Sequence, residues 1–247
     1  GGSGLTYFQS ALNTTAHNVA NQKTKGYSRQ QVLSRAADAI RLNSSVGMQG
    51  TGVSVQGVTQ IRDAYYDTKY RNSMSHYAEY NTKNTYLLEI ENYLNEMQSE
   101  SGYTSLFTNI SDSIQEVAKD PYNPTTRTEF LQALNNMTDF INETADNLQS
   151  TQASANDEIA LYVDKINSLG KQVYSLTEQI INIEVRGGNA NDLRDQRALV
   201  VDQLSEIVNV NVSEESINFG TGKDAVESGA SRYTVSINGH VLVDDMG

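Results

Sequence analysis

Few of the 247 residues are of a type and spacing that could do chemistry. The three His, at 17, 76 and 240, are too far apart in sequence for a local metal site, and no His-Glu-x-x-His or Gly-x-Ser-x-Gly run is present. There is no Cys, which removes thiolate nucleophiles, disulfides and thiolate-bound metals together. Gly220-Thr221-Gly222-Lys223 looks like the end of a phosphate loop, but Ile217 stands where the upstream Gly belongs and Asp224 where a Ser or Thr must hold magnesium. A flexible turn is the expectation there. The adjacent acids Glu214-Glu215 and Asp244-Asp245 would point to opposite faces of a strand, so neither makes a catalytic pair, and solvated turns are expected at both. No catalytic residue, no cofactor and no metal are predicted.

Binding chemistry is equally restricted. Tyr65, Tyr66, Tyr70, Tyr77, Tyr80 and Tyr86 fall in one predicted helix, where ring packing in a seam is favoured over stacking on a sugar or base. A formal charge of −12 and a pI near 4.6 oppose both nucleic acid and anionic lipid. No apolar run approaches the roughly 20 residues that a membrane-inserted helix needs. The 84 Ser, Thr, Asn and Gln residues suit polar-surfaced helices with thin apolar seams better than an enzyme built round an apolar cleft.

The elements that must position any functional residue are mostly helical. Leu5, Phe8, Ala11, Leu12, Ala16, Val19 and Ala20 predict one helix over 5–21, stopped by Lys25-Gly26. From Gly26 to about Ile61 the chain reads as extended or irregular, with Val53, Val55 and Val58 strand-like. Tyr80, Leu87 and Leu94, with Ile90 and Met97, predict an a/d seam on a helix from Asp63 to Gln98. Thr104 is the expected N-cap of a third helix over 104–119, ended by Asp120-Pro121-Tyr122-Asn123-Pro124. A fourth helix carries Phe130, Leu134, Met137, Ile141 and Leu148. A fifth, from Ser154 to Val185, would be about 48 Å long if continuous. Its seam runs through Leu169, Val173, Leu176, Ile180 and Ile183, with a bend expected at Gly170.

Arg186-Gly187-Gly188-Asn189 then stops the helical pattern, which resumes from Asp192 to Ile207. Beyond Ile207 the period becomes two. Val208, Val210 and Val212 alternate with Asn, then Tyr233, Val235 and Ile237 lead into Asn238-Gly239, a type I′ hairpin signal before Val241 to Val243. Three strands cannot close a β domain, so one is expected to be cut here. The predicted class is mainly α: an elongated helical bundle with long coiled-coil-like helices, followed by the start of a β-rich domain. The predicted divisions are an N-terminal segment 1–62, mobile when alone, a helical bundle 63–207 and the opening of the β-rich domain at 208–247.

One stretch resembles a known family. Asn18-Val19-Ala20-Asn21, followed by Thr24, Gly26 and Tyr27, is similar to the Asn-x-Ala-Asn and Thr-x-Gly-Tyr signature of bacterial flagellar axial proteins. The continuation Ser28-Arg29-Gln30, the segment Gly52 to Val58 and the run Asp192-Leu193-Arg194-Asp195-Gln196-Arg197 resemble the hook-associated protein 1 family. The resemblance implies a non-enzymatic subunit at the hook–filament junction, extracellular, exported by the flagellar system without a cleaved signal. It implies copies assembled in a ring or tube, contacts to hook protein and to the next hook-associated protein, and room for an export chaperone. On it, Asn18, Ala20, Asn21, Thr24, Gly26, Tyr27, Arg29 and Gln30 are assembly residues. The amides of Asn18 and Asn21 would also satisfy carbonyls at a helix end. Arg194, Asp195 and Arg197 have two readings, subunit contacts or a solvated face. The alternatives are a flagellar hook or rod subunit, or an extracellular adhesin or enzyme carried on helical stalks.

Overall fold

The computed structural model describes residues 2–41, 48–94, 102–219 and 226–244. The expectations for Met97, Gly220 to Asp224 and Asp245 lie outside the described residues. The order is α1 (Gly2–Ala20), β1 (Gln30–Ala36), β2 (Ile40–Arg41), β3 (Met48–Gln49), β4 (Val53–Gln60), α2 (Ala64–Leu94), α3 (Tyr103–Lys119), α4 (Pro124–Glu184), α5 (Asn191–Ser205), β5 (Val210–Phe219), β6 (Val226–Ile237) and β7 (His240–Val243). Helices dominate, and small antiparallel sheets hold the rest, as the sequence pattern predicts. No helix among the described residues is long and apolar enough to cross a membrane.

Two compact units are formed, one from Gly1–His76 with Lys165–Gly247 and the other from Tyr77–Asp164. α2 and α4 each contribute residues to both. The expected divisions after residues 62 and 207 both fall within the first unit.

The first unit contains the core. Leu169 and Val173 of α4 meet Val201 and Leu204 of α5, and Val210, Tyr233, Val235 and Val243 of the sheet. Each fully buried Val or Leu contributes about 1.5–3 kcal/mol. The sheet order is β5-β6-β7, with Val210 opposite Ile237 and Glu214 opposite Tyr233. Asn238 (φ 49°) and Gly239 (φ 82°) are both left-handed, as the type I′ turn between β6 and β7 demands. β1 pairs with β4 and a bulge interrupts them: Leu33 faces Gly57, but Ser34 faces Val55. That extra residue explains why Val55 and Val58 are three apart in a strand whose period is two.

Three expectations are corrected. The fourth and fifth helices are one, the 61-residue α4, because Ser150 to Ser154 contain no Gly or Pro to stop it. It also passes through Gly170, where a Cβ would meet the Leu242 side chain at 3.4 Å, so the glycine serves close packing against the hairpin. The α3 N-cap is Gly102, which accepts the Leu106 N–H at 3.0 Å, rather than Thr104. Glu214 lies in β5, not in a solvated turn.

The second unit is built from the 77–94 part of α2, α3, and the 124–164 part of α4. One of the two rows of its expected a/d seam, Tyr80, Leu87 and Leu94, faces outward, whereas Ile90 of the other row is turned inward as expected. Tyr80, Leu87 and Leu94 are exposed, while Tyr86, Ile90 and Tyr93 are half-buried. Polar bonds set this phase: Tyr86 Oη donates to Glu158 Oε2 at 2.5 Å, and Thr151 Oγ1 donates to Glu89 Oε1 at 3.0 Å. Tyr65, Tyr66, Tyr70 and Tyr77 are exposed too, so among the six tyrosines expected to pack in the α2 seam only Tyr86 is turned inward.

Candidate assembly interface

The segment after α1 folds back onto it through the signature residues. Asn21 adds a side-chain bond, Nδ2 to the His17 carbonyl at 3.0 Å, to its backbone N–H bond to the same oxygen at 3.1 Å. This satisfies a helix-end carbonyl, the role expected of that amide. Thr24 continues the turn, its Oγ1 donating to Asn21 Oδ1 at 3.2 Å. Gly26 has φ 83°, and a Cβ there would come within 3.3 Å of Leu199 on α5, so both conformation and close approach require glycine.

Asn18 does more than close the helix. Its Nδ2 donates to the Gln30 carbonyl at 2.9 Å while its Oδ1 accepts the Gln30 N–H at 2.8 Å. That double pairing fixes the amide orientation, so Tyr27 Oη must donate to Oδ1, at 2.7 Å. The Tyr27 hydroxyl has one hydrogen. His17 Nδ1, 2.9 Å away, is therefore the donor to it, which leaves Nε2 facing Asp192 Oδ2 at 3.9 Å. Partial burial, with Asp192 and Asp195 nearby, raises the Tyr27 pKa and keeps the hydroxyl protonated.

α5 holds this segment with its acids and the rest of the unit with its bases. Asp195 Oδ2 accepts the Ser28 N–H at 2.9 Å, and Asp192 Oδ1 accepts Gln30 Nε2 at 2.8 Å. Arg62 reaches Asp195 at 3.5 Å and Asp67 at 2.6 Å, and buried Arg71 bonds Asp202 at 2.7 Å. On the basic side, Arg194 forks onto Glu184 at 2.6 and 2.8 Å and reaches Glu214 at 2.7 Å. Arg197 bonds Glu214 at 3.2 Å and lies 3.5 Å from the centre of the Tyr233 ring.

The charges respond to these neighbours. The Glu184 hydrogen bonds raise the Arg194 pKa despite burial, whereas burial lowers that of Arg197. Burial alone would raise Glu214, but Arg197, the Ser231 hydroxyl and Arg194 together hold its carboxyl below the usual range. Asp195 and Arg197 are only 6 % and 2 % exposed, which overturns the solvated-face reading for both. The partners of the α5 charges, Arg62 for Asp195, Arg71 for Asp202, Glu184 for Arg194 and Glu214 for Arg194 and Arg197, carry no signal in spacing, since each lies in another element or turn of the chain.

What stays on the surface is different. Ala20 and Arg29 are exposed, and Arg29 contributes its carbonyl, which accepts the Ile61 N–H at 2.7 Å. Leu5, Phe8, Leu12 and Val19 form one stripe of α1 and are each 60 to 70 % exposed. In the second unit, Leu134, Ile141 and Leu148 repeat every seven residues on α4 and are also exposed. Exposed apolar stripes of this length on otherwise polar helices are the kind of surface at which interaction sites are found. Among the described residues, no group of three or more His, Asp or Glu is placed to hold a metal ion.

Residues 87–246 match the model of the flagellar hook-associated protein FlgK helical domain. Flagellar hook-associated protein 1 of Bacillus subtilis (strain 168) is 33% identical over 238 residues, covering 94% of this chain and 46% of that protein. Flagellar hook-associated protein 1 of Escherichia coli (strain K12) is 28% identical over 245 residues, covering 95% of this chain and 44% of that protein. The chain thus spans less than half the length of these relatives. With its internally tied signature turn, its α5 charge clamp and these matches, the chain belongs to the flagellar hook-associated protein FlgK family.

Proposed function

We propose that this chain is part of a non-enzymatic structural subunit that joins hook to filament, outside the cell, by assembly of copies into a ring or tube. The observation that carries the reading is the exposed stripe Leu5, Phe8, Leu12 and Val19 on α1. The end of this helix is fixed by the Asn18–Gln30 pairing and the Asp195 bond to Ser28, so the stripe is presented on an anchored helix. Hook protein and the next hook-associated protein are the expected neighbours. The matched relatives carry the hook-associated name, which favours this reading over a hook or rod subunit.

The test uses full-length protein in a flagellated host. Phe8→Asp with Leu12→Asp should leave export intact but abolish joining, because unpaired carboxylates would be buried at every repeat of the assembly. Expected observations are intact hooks, filament protein lost to the medium, and no swimming. Normal filaments would remove α1 from the interface. Arg29→Glu is the cleaner probe of the signature turn: its side chain is exposed, whereas Tyr27→Asp would break the turn from within.

A further inference from the structure

The formal charge of the chain sits in one of its two units. Residues 77–164 hold 15 Asp and Glu against 3 Lys and Arg, a net −12 that equals the charge of the whole chain, so the other unit is neutral. A cavity of about 540 Å³ opens within this acidic unit, between α2, α3 and α4. One face of α4 lines it, since Asn136, Asp139 with Phe140, Glu143 and Asn147 follow at steps of three and four. Opposite stand Asn92 and Tyr93 of α2, with Leu106 and Asn109 of α3. Buried Leu106 and half-buried Phe140 make part of the wall apolar. Asp139 and Glu143 lie four apart, and neither makes a hydrogen bond or ion pair among the described residues. Like charges at that spacing destabilise a helix unless a cation comes between them. The side-chain amides of Asn92, Asn109 and Asn147 are also unbonded among the described residues, whereas Asn136 Oδ1 accepts Gln132 Nε2 at 2.8 Å.

We propose that this cavity binds an alkyl guanidinium, the head and stem of an arginine side chain. The field of a unit carrying −12 gathers cations, and a concave site focuses it. Charge alone would take any cation, so the lining decides among them. Two carboxylates are too few for a metal ion, and no group of three His, Asp or Glu is placed to hold one among the described residues. An ammonium is a compact point charge with three donors. A guanidinium presents five donors in one plane, enough to engage Asp139, Glu143 and the neighbouring amide oxygens together. Leu106 and Phe140 supply apolar ground for a methylene stem whose head stays with the carboxylates. The head is the same whether an arginine on another protein or a free small molecule carries it. Binding there requires no second copy of the chain, so it stands apart from the ring or tube proposed above.

The test is a titration of the intact protein, isotopically labelled on its asparagine nitrogens and followed by magnetic resonance. The probes are n-butylguanidinium, which has the stem and head of arginine, and n-butylurea, which has the same planar shape and no charge. The guanidinium alone is expected to shift the side-chain signals of Asn92, Asn109 and Asn147, leaving Asn209 and Asn238 of the neutral unit unmoved. Asp139→Asn with Glu143→Gln keeps the shape of two exposed side chains and should not lower the melting temperature. It should weaken the guanidinium about tenfold, because hydrogen bonds to charged groups are lost. A capped pentapeptide with one central arginine distinguishes the sources: shifts with peptide and small cation alike assign the site to an arginine on a protein, and shifts with the cation alone assign it to a free guanidinium compound. Equal shifts with the urea, shifts spread over asparagines of both units, or unchanged affinity in the double variant would each overturn the proposal. So would no shift with any probe, which would leave the cavity to water.

Discussion

The Asp195 carboxylate accepts the backbone N–H of Ser28 at 2.9 Å across 167 residues of sequence. Its other oxygen faces Arg62 at 3.5 Å, so one buried acid on α5 ties both ends of the segment that carries β1 and β4. Asp195→Ala should cost about 3 kcal/mol, since it leaves the half-buried Ser28 N–H unpaired and weakens the pairing of the Arg62 guanidinium. Hydrogen exchange should speed up at residues 26–36 and not in α3. Asp195→Asn keeps an acceptor for Ser28 and should lose roughly half as much. Equal losses would place the effect in packing instead.

The turn after α1 should respond to single atoms. Tyr27→Phe removes the hydroxyl that links His17 to Asn18 and should cost about 1 kcal/mol. Asn18→Ala removes three bonds and should cost about 3 kcal/mol at roughly 1 kcal/mol each. Denaturant titration of both variants checks the ratio.

The seam of α4 in the first unit runs through Leu169, Val173, Thr177 and Ile180, all buried, whereas Leu176 is only half-buried. Val173→Asp should therefore prevent folding of this unit or cost more than about 4 kcal/mol, and Leu176→Asp distinctly less. Glu178→Lys, on the exposed face, should stay within about 0.5 kcal/mol. Thermal melts that rank Leu176→Asp as the worst of the three would show the phase to be wrong.

Stability should fall at both ends of the pH scale, through different pairs. Burial opposes ionisation of Glu214, yet Arg197, Ser231 and Arg194 lower its pKa in the folded chain. Its contribution is thus present above the unfolded carboxylate pKa of about 4.3 and is lost as pH falls through the lowered value. At the other end, the Glu158 hydrogen bond pushes Tyr86 up from 10.0 to about 12. A raised pKa gives stability that is full below pH 10.0 and is lost as pH climbs towards about 12. Tyr86→Phe should flatten the alkaline limb without changing the acid one, as read by denaturation midpoints across pH.

Much of this was legible because it is local. Leu5 to Ala20, Gly187-Gly188 after α4 and Asn238-Gly239 between β6 and β7 announce a helix, a stop and a hairpin through periodicity and backbone freedom alone. The Asn18 to Tyr27 resemblance pointed to the family, and two thirds of the chain matches its helical-domain model. The heptad phase of α2 was not legible: Leu87 and Leu94 make as good an a/d series as Tyr86 and Tyr93, and periodicity does not say which stripe faces inward. Tyr86 to Glu158 and Glu89 to Thr151 decide it, and those partners come from another helix.

The charges of α5 mark the same division. Periodicity alone places Asp192, Arg194, Asp195 and Arg197 on a short helix, and no rule of spacing distinguishes a solvated face from a clamp. It is the packed fold that gives Asp192 and Asp195 the N-terminal segment and gives Arg194 and Arg197 the carboxylates of Glu184 and Glu214, because buried charge is tolerated where opposite charge and hydrogen bonds converge on it. That convergence joins residues 28, 62, 184, 195 and 214, a set that has no neighbourhood until the chain has folded.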